Sequence, residues 1–204
     1  MNNLILIDAG TGNLRSVQKA LENLGAHVLR TEDPKKVLHA KQVVLPGVGA
    51  FGEFMSGLRG RGLDEAVKAI TLRGVPLLGI CVGMQALFEV GEELGRHTGL
   101  GLLPGKVTRF PESLGVKIPH TGWNQMDVAT EALLFCKINS GSYVYFNHSY
   151  YCRPDVSSHV SATTQHGSRY ACTVQYKNIF GVQFHPEKSQ TVGLQILKNF
   201  LELT

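Results

Sequence analysis

The sequence lacks a paired-cysteine framework. Its four cysteines, Cys81, Cys136, Cys152 and Cys172, are scattered, with no C-x-x-C pair among them. In a chain of 204 residues this spacing argues against both a zinc site and a disulfide scaffold. We therefore expect reduced thiols and a core that folds through apolar burial alone.

Long apolar runs and runs of like charge are also missing. No stretch approaches the roughly 18 to 20 uncharged residues of a membrane span, and the first apolar run stops at Asp8, too early for a signal-peptide core. The net charge of +4 arises from 20 basic and 16 acidic residues, without the basic stripe that nucleic acid selects. We predict a cytoplasmic protein that binds neither membranes nor nucleic acid.

Short apolar segments alternate with helical periods in the first hundred residues. Strand patterns at 4–8, 28–29, 43–45 and 77–80 are separated by helical patterns at 14–24, from Pro34, and at 63–72. Beyond about residue 100 the pattern is mostly strand-like until a closing amphipathic helix. We predict one domain over residues 1–204 with an α/β fold: a mixed, largely parallel central sheet flanked by helices, with a more β-rich C-terminal half.

A candidate nucleophile lies where one of these strands ends. Cys81 is preceded by Gly79 and followed by Gly83, and a helical pattern continues over residues 84–88. This is the pattern of a nucleophile elbow with cysteine in the serine position. The two glycines allow a sharp turn, and the N–H groups of a helix N-terminus favour the thiolate. On this segment alone, a buried structural cysteine is the alternative.

A candidate base follows far along the chain, at the end of another apolar strand pattern. His185 and Glu187 are two residues apart, so on an extended segment both project to the same face, and Pro186 stiffens the link. A carboxylate in that position holds an imidazole in the tautomer that faces a nucleophile. The alternatives are a surface turn or two ligands of a metal site, but a third ligand is not evident, so we predict no metal.

A glycine-rich segment at residues 45–52 follows the third predicted strand. Its glycines allow backbone N–H groups to turn toward an oxyanion, as acyl transfer requires. By contrast, the glycines at positions 10 and 12 do not complete a dinucleotide-binding pattern, because Arg15 stands where the third glycine belongs.

Together these elements resemble the triad, or class I, glutamine amidotransferases, and the similarity runs nearly end to end. It rests on residues 7–16, 45–52, 79–85, 119–124, 145–150 and 181–190. The opening segment and the His-Thr-Gly-Trp-Asn segment at 120–124 are similar to the branch of the family that serves histidine biosynthesis. The nearest alternatives are the glutaminases of pyridoxal phosphate or anthranilate synthase, or an inactive scaffold that only binds a partner.

The resemblance implies a cysteine glutaminase that needs no cofactor. Cys81 would attack the carboxamide of glutamine, His185 would relay protons, and Glu187 would orient His185. The thioester would be hydrolysed to glutamate, and the ammonia would pass to a separate cyclase subunit with a (β/α)8 barrel, which a chain of this length cannot itself contain.

The resemblance also assigns the surrounding residues. The oxyanion would be bound by the backbone of Gly47, Val48 and Gly49, the substrate by Gln85, Ser149 and Tyr150, and the partner by Trp123, Asn124, Tyr145 and Lys188; burial of Trp123 in the core is the alternative for that residue. Two positions depart from the family pattern, since Ala9 replaces a larger residue and Asn147 an apolar one. We expect Ala9 to alter the packing near the opening turn, and Asn147, which lies close to Ser149, to affect the contacts to glutamine.

Overall fold

A computed structural model describes residues 4–129 and 132–203. The strands are β1 (Leu4–Ile7), β2 (Val28–Thr31), β3 (Gln42–Gly47), β4 (Leu77–Cys81), β5 (Phe88–Gly91), β6 (His97–Thr98), β7 (Leu103–Arg109), β8 (His120–Gln125), β9 (Asp127–Val128), β10 (Tyr143–His148), β11 (Tyr150–Pro154), β12 (Val160–His166), β13 (Ser168–Tyr176) and β14 (Ile179–Val182). The α-helices are α1 (Leu14–Asn23), α2 (Pro34–Leu38), α3 (Phe51–Gly60), α4 (Leu63–Leu72), α5 (Val82–Gln85) and α6 (Gln190–Leu201). Short 3-10 turns cover Glu112–Leu114, Leu133–Phe135, Ser157–His159 and Pro186–Lys188.

The central sheet has eight strands in the order β2-β1-β3-β4-β14-β13-β12-β9. The five strands from β2 to β14 are parallel, and the remaining three continue the sheet in antiparallel pairing. A four-stranded sheet, β11-β7-β5-β6, and the antiparallel pair β10-β8 account for the other strands. The predicted fold, a mixed and largely parallel sheet flanked by helices with a β-rich C-terminal half, is confirmed.

Apolar periodicity explains why the first half of the chain packs as it does. All four residues of β1 are buried, as a strand covered on both faces requires. Helix α1 buries Leu14, Val17 and Leu21, which recur at helical spacing and form one face against the sheet. Among the described residues, no helix has the length and apolar character needed to span a bilayer.

The predicted helix after Cys81 is wrong beyond Gln85. Helix α5 makes a single turn, and Phe88 already begins β5, where it pairs with Leu103. The carbonyl of Leu87 accepts hydrogen bonds from the N–H groups of Leu102 and Leu103 at 2.9 and 3.0 Å. These long-range backbone hydrogen bonds extend the chain into the second sheet, although its apolar spacing fits a helix.

The carboxyl ends of three neighbouring parallel strands meet at one edge of the central sheet. Gly47 at the end of β3 lies in register with Cys81 at the end of β4, and Ile80 lies in register with Val182 of β14. Because parallel strands end at the same edge, the segments that follow them converge there, although far apart in sequence. His185 follows β14 by three residues and therefore reaches the same edge as Cys81.

Helix α6 packs closely against this edge through a glycine. A Cβ atom at Gly193 would lie 2.0 Å from the carbonyl oxygen of Pro186. We expect Gly193→Ala to lower the free energy of unfolding by about 2 to 3 kcal/mol, since the helix must move away from the backbone. Gly60→Ala is the matched control: nothing lies within 4 Å of a Cβ there, and a gain of up to about 1 kcal/mol in helix propensity is expected. Equal stabilities of the two variants in urea denaturation would contradict this packing.

Candidate active site

Cys81 occupies a strained turn between β4 and α5. Its backbone dihedral angles are φ 55° and ψ −112°, a conformation that residues with a Cβ atom rarely adopt. The flanking glycines are needed for close packing rather than for unusual dihedral angles. A Cβ atom on Gly83 would lie 1.8 Å from the carbonyl oxygen of Leu45, and one on Gly79 would lie 2.6 Å from that of Gly83. The turn can therefore lie directly on β3.

His185 and Glu187 form a buried pair beside the thiol. The Nδ1 atom of His185 is 3.0 Å from Oε1 of Glu187, and their side chains are only 5% and 1% exposed. The backbone N–H of His185 donates to the carbonyl of Tyr145 at 2.9 Å, and Ser189 Oγ donates to the carbonyl of His185 at 2.7 Å. These hydrogen bonds hold the imidazole at the edge of the sheet.

The ionisation of His185 reflects its two neighbours. Burial of the ring lowers its pKa, but the interactions with Cys81 and Glu187 raise it more, and the net result is a pKa of about 9. The cation is therefore the favoured form of the ring at neutral pH. A positive charge beside a cysteine sulfur favours the thiolate, which is the nucleophilic form.

A cleft with about 540 Å³ of empty space, part of it open to solvent, runs beside the thiol. Most of the predicted site residues lie in its wall. The residues that line it are Val48, Gly49, Cys81, Val82, Gln85, Glu93, Asn147, His148, Ser149, Tyr150, His185 and Lys188. Gly47 is next to this wall, at the end of β3. Gly49 has φ 87°, and its N–H has no acceptor among the described residues.

Two glutamine side chains connect the cleft to the sulfur atom. The amide nitrogen of Gln85 donates to the carbonyl of Tyr150 at 3.0 Å and to Oε1 of Gln183 at 3.1 Å. Gln85 Oε1 is buried and has no hydrogen-bond partner among the described residues. Gln183 is completely buried, and its Nε2 lies 3.8 Å from Sγ of Cys81. Gln183 is a site residue that the sequence motifs did not indicate, although a polar residue inside an apolar strand pattern is a signal.

The four residues predicted to bind a partner separate into two groups. Trp123 is 46% exposed, lies opposite Tyr145 on the β8-β10 pair and meets its ring edge to face at 6.0 Å. The ammonium group of Lys188 lies 5.7 Å from the centre of the same ring, so these three side chains form one row. Asn124 is different, because its side chain donates to the carbonyl of Gln165 and to the ring of His120 inside the protein.

The two positions that depart from the family pattern also have defined surroundings. Ala9 is buried, and its carbonyl oxygen would lie 2.2 Å from a Cβ atom on Gly57, so helix α3 packs directly on this segment. Asn147 lines the cleft and accepts a hydrogen bond from Thr121 at 3.1 Å. In the described part of the chain, no group of three or more His, Cys, Asp or Glu side chains is arranged to hold a metal ion.

We expect Glu187→Gln to lower the pKa of His185 below about 9, since the amide removes the negative charge that stabilises the imidazolium. Titration of the imidazole signals by NMR measures this shift. A pKa that is higher in the folded than in the unfolded state contributes stability that is present below about pH 6.5 and is lost as the pH rises through about 9. The variant should therefore lose less stability over that range. Glu93→Gln, which removes a charge from the same cleft, is the control and should leave the pKa of His185 within about half a unit of its original value.

Solved structures share this architecture. A structure described as a glutamine amidotransferase matches with a TM-score of 0.76 and 22% identity over 97% of each chain. PurLQS from Thermotoga maritima matches with a TM-score of 0.77 and 18% identity over 98% of each chain. At these identities the likeness concerns the fold alone.

Sequence comparisons are more specific. The family model for class I glutamine amidotransferases matches residues 5–203. The protein named imidazole glycerol phosphate synthase subunit HisH is 50% identical in Moorella thermoacetica, over 100% of this chain and 96% of the relative. Its counterpart in Geobacter metallireducens is 47% identical, over 98% of each chain. The family indicated by the sequence motifs is thereby confirmed. This chain belongs to the class I glutamine amidotransferases and, within them, to the family of imidazole glycerol phosphate synthase subunits.

Proposed function

We propose that this chain is the glutaminase subunit of imidazole glycerol phosphate synthase and that it hydrolyses glutamine to glutamate and ammonia for histidine biosynthesis. The observation that carries the proposal is the meeting of Cys81 and His185 in one cleft, although they are 104 residues apart (185 − 81), with Glu187 bound to His185 behind the cleft wall. Gln85, whose amide oxygen is buried without a hydrogen-bond partner among the described residues, lines the same cleft. A nucleophile, a base, an orienting carboxylate and a free acceptor are what binding and attack of an amide require.

The chemistry begins at the sulfur of Cys81. The thiolate attacks the carboxamide carbon, and the negative charge that develops on the oxygen is stabilised by backbone N–H groups of Gly47, Val48 and Gly49. The His185 imidazolium then gives its proton to the departing nitrogen, so that ammonia leaves and a thioester remains. Neutral His185 next takes a proton from water, whose oxygen attacks the thioester, and glutamate is released as the thiolate reforms.

Glu187 acts through His185. Its carboxylate accepts a hydrogen bond from Nδ1–H of the ring, which leaves Nε2 to face the cleft and stabilises the cation that is present at the start and forms again when water is deprotonated. The near-complete burial of the pair strengthens this interaction, because water does not screen it. Gln85, Ser149 and Tyr150 are proposed to hold the substrate, with Gln85 Oε1 as an acceptor for its N–H groups.

We further propose that the partner is a cyclase subunit with a (β/α)8 barrel that receives the ammonia. The row of Trp123, Tyr145 and Lys188 lies next to the cleft and combines an exposed aromatic anchor with a cation. Exposed aromatic residues are typical of interface centres, and the cation beside them would form a charge contact with the partner. Asn124 would support this strand from inside. The proposed location is the cytoplasm, where the catalytic thiol and the three other unpaired cysteines stay reduced.

Cys81→Ala should reduce glutamine-dependent product formation by at least about a thousandfold, because no nucleophile remains. Product formation from added ammonia should survive in the reconstituted complex, since the cyclase reaction does not use this site. Cys136→Ala changes an exposed cysteine outside the cleft and should retain both activities. Loss of the ammonia-dependent activity in an assembled complex, or retention of the glutamine-dependent one, would contradict the assignment.

Trp123→Ala should weaken binding of the cyclase subunit by at least about thirtyfold, since truncation of a central aromatic anchor costs about 2 kcal/mol or more. Titration calorimetry measures the dissociation constant. Leu72→Ala removes an apolar side chain that is even more exposed, at 88%, and should leave binding unchanged. Equal affinity of the wild type and the Trp123 variant would rule this row out as the centre of the interface.

A further inference from the structure

Three buried polar rings lie behind the wall of the cleft. His120, His148 and Tyr170 are each 7% exposed or less. The Tyr170 hydroxyl oxygen is 2.9 Å from Nδ1 of His120 and 3.0 Å from Nε2 of His148. None of these rings belongs to the triad, yet His148 lines the cleft. Burial of polar rings is costly unless each ring nitrogen and hydroxyl has a hydrogen-bond partner. The hydrogen bonds of these three rings therefore have to be followed atom by atom.

The direction of each hydrogen bond can be derived from its partners. The Nδ1 atom of His148 is 2.7 Å from the carbonyl oxygen of Tyr150, which can only accept, so this nitrogen carries the hydrogen. Burial lowers the pKa of His148 to about 3, and the ring is therefore neutral near pH 7. A neutral ring has one N–H group, so Nε2 of His148 is an acceptor and the Tyr170 hydroxyl must donate to it.

The chain of hydrogen bonds continues from Tyr170 through His120 to Asn124. Since Tyr170 has used its single hydrogen, its oxygen accepts from Nδ1–H of His120. Burial lowers the pKa of His120 to about 4, so that ring is neutral as well, and its Nε2 accepts from the amide of Asn124 at 3.2 Å. The second hydrogen of that amide goes to the carbonyl of Gln165 at 2.8 Å. One arrangement of hydrogens thus satisfies every group from Asn124 to Tyr150.

The hydrogen-bonded chain ends on an atom that also positions the substrate pocket. The carbonyl of Tyr150 accepts a second hydrogen bond, from Nε2 of Gln85 at 3.0 Å. The same Gln85 nitrogen donates to Gln183, whose own amide approaches Cys81. The orientation of the Tyr150 carbonyl therefore determines where the unpartnered Oε1 of Gln85 points. His148 is the other side chain that donates to this carbonyl.

We propose that His120, Tyr170 and His148 form a positioning relay, which holds the Tyr150 carbonyl and through it the Gln85 amide in the orientation that receives glutamine. The inference rests on the proposed function of the cleft as the glutamine site. The relay residues are positioning residues, since none of them needs to touch the reacting atoms. Tyr150 begins β11 and pairs with Arg109 of β7, so the sheet sets its backbone, and the relay adds the side-chain hydrogen bond that its carbonyl accepts.

Tyr170→Phe tests the relay with the smallest change, because it removes one hydroxyl and keeps the ring. In the reconstituted complex the KM for glutamine should rise about tenfold, while kcat changes less than about threefold, since binding rather than bond breaking is affected. Ammonia-dependent product formation should remain unchanged. Tyr151→Phe is the matched control, because this ring stacks on Phe110 in the same cluster and its hydroxyl has no hydrogen bond to the described residues. An unchanged KM in the Tyr170 variant, or equal effects in both variants, would overturn the proposal.

A pair of substitutions at His148 gives a second test, which remains decisive if the Tyr170 variant does not fold. Asparagine presents an N–H group near the position of Nδ1, so His148→Asn can still donate to the Tyr150 carbonyl, whereas His148→Leu cannot. The KM for glutamine of the His148→Leu variant should exceed that of the His148→Asn variant by at least about threefold. Equal KM values in the two variants would count against the relay.

The tautomers give a readout that does not depend on turnover. In the wild-type chain, nitrogen NMR shifts should show His120 and His148 with hydrogen on Nδ1 and none on Nε2, unchanged between pH 6 and 8. Hydrogen on Nε2 of either ring would refute the relay. If the tautomers are as expected but the wild-type complex hydrolyses no glutamine, the proposed function fails while the hydrogen-bonded chain stands.

Discussion

The backbone contact between the Cys81 turn and β3 is the constraint on which the rest of the site depends. Cys81 keeps a φ of 55° only because its surroundings hold it there. Gly83 lies so close to the carbonyl of Leu45 that any side chain would clash with it. This contact aims the sulfur out of the sheet, at the edge that three parallel strand ends share. Cys81 is itself only 4% exposed, and the turn brings it to the wall of the cleft.

The buried histidine rings near that turn are of two kinds, one charged and two neutral. His185 is kept as a cation by Cys81 and Glu187 against the cost of burial, whereas His120 and His148 lose their charge to burial. The difference follows from the partners. Groups that are negative or become negative surround the first ring, while a hydroxyl, an amide and a carbonyl surround the other two. With its raised pKa, the His185 ring can exchange protons near neutral pH, whereas the rings of His120 and His148, whose pKa values are lowered, stay neutral there and serve as hydrogen-bond partners.

Much of the fold was predictable because its signals are local. The apolar runs at β1, β3 and β4 and the periods of α1, α4 and α6 indicated their elements, since side-chain spacing and secondary structure have the same period. The helix predicted beyond Gln85 was wrong because a local period cannot show that Leu87 and Phe88 bond to residues 102–103. Helix α3 was also missed, although its apolar residues Phe51, Phe54 and Leu58 are three to four apart.

By itself, the sequence determined the family, the strand ends where reactive residues lie and the identity of Cys81, His185 and Glu187 as candidates. Each of these depends on short motifs, and every motif consists of a few consecutive residues. Only the tertiary structure decided that Gln183 reaches Cys81, that Asn124 points inward while Trp123 points outward, and that Tyr170 joins two histidines. The physical reason is that these contacts join residues from 22 to 102 positions apart. A hydrogen bond between such residues depends on how the sheets pack, which no local pattern specifies.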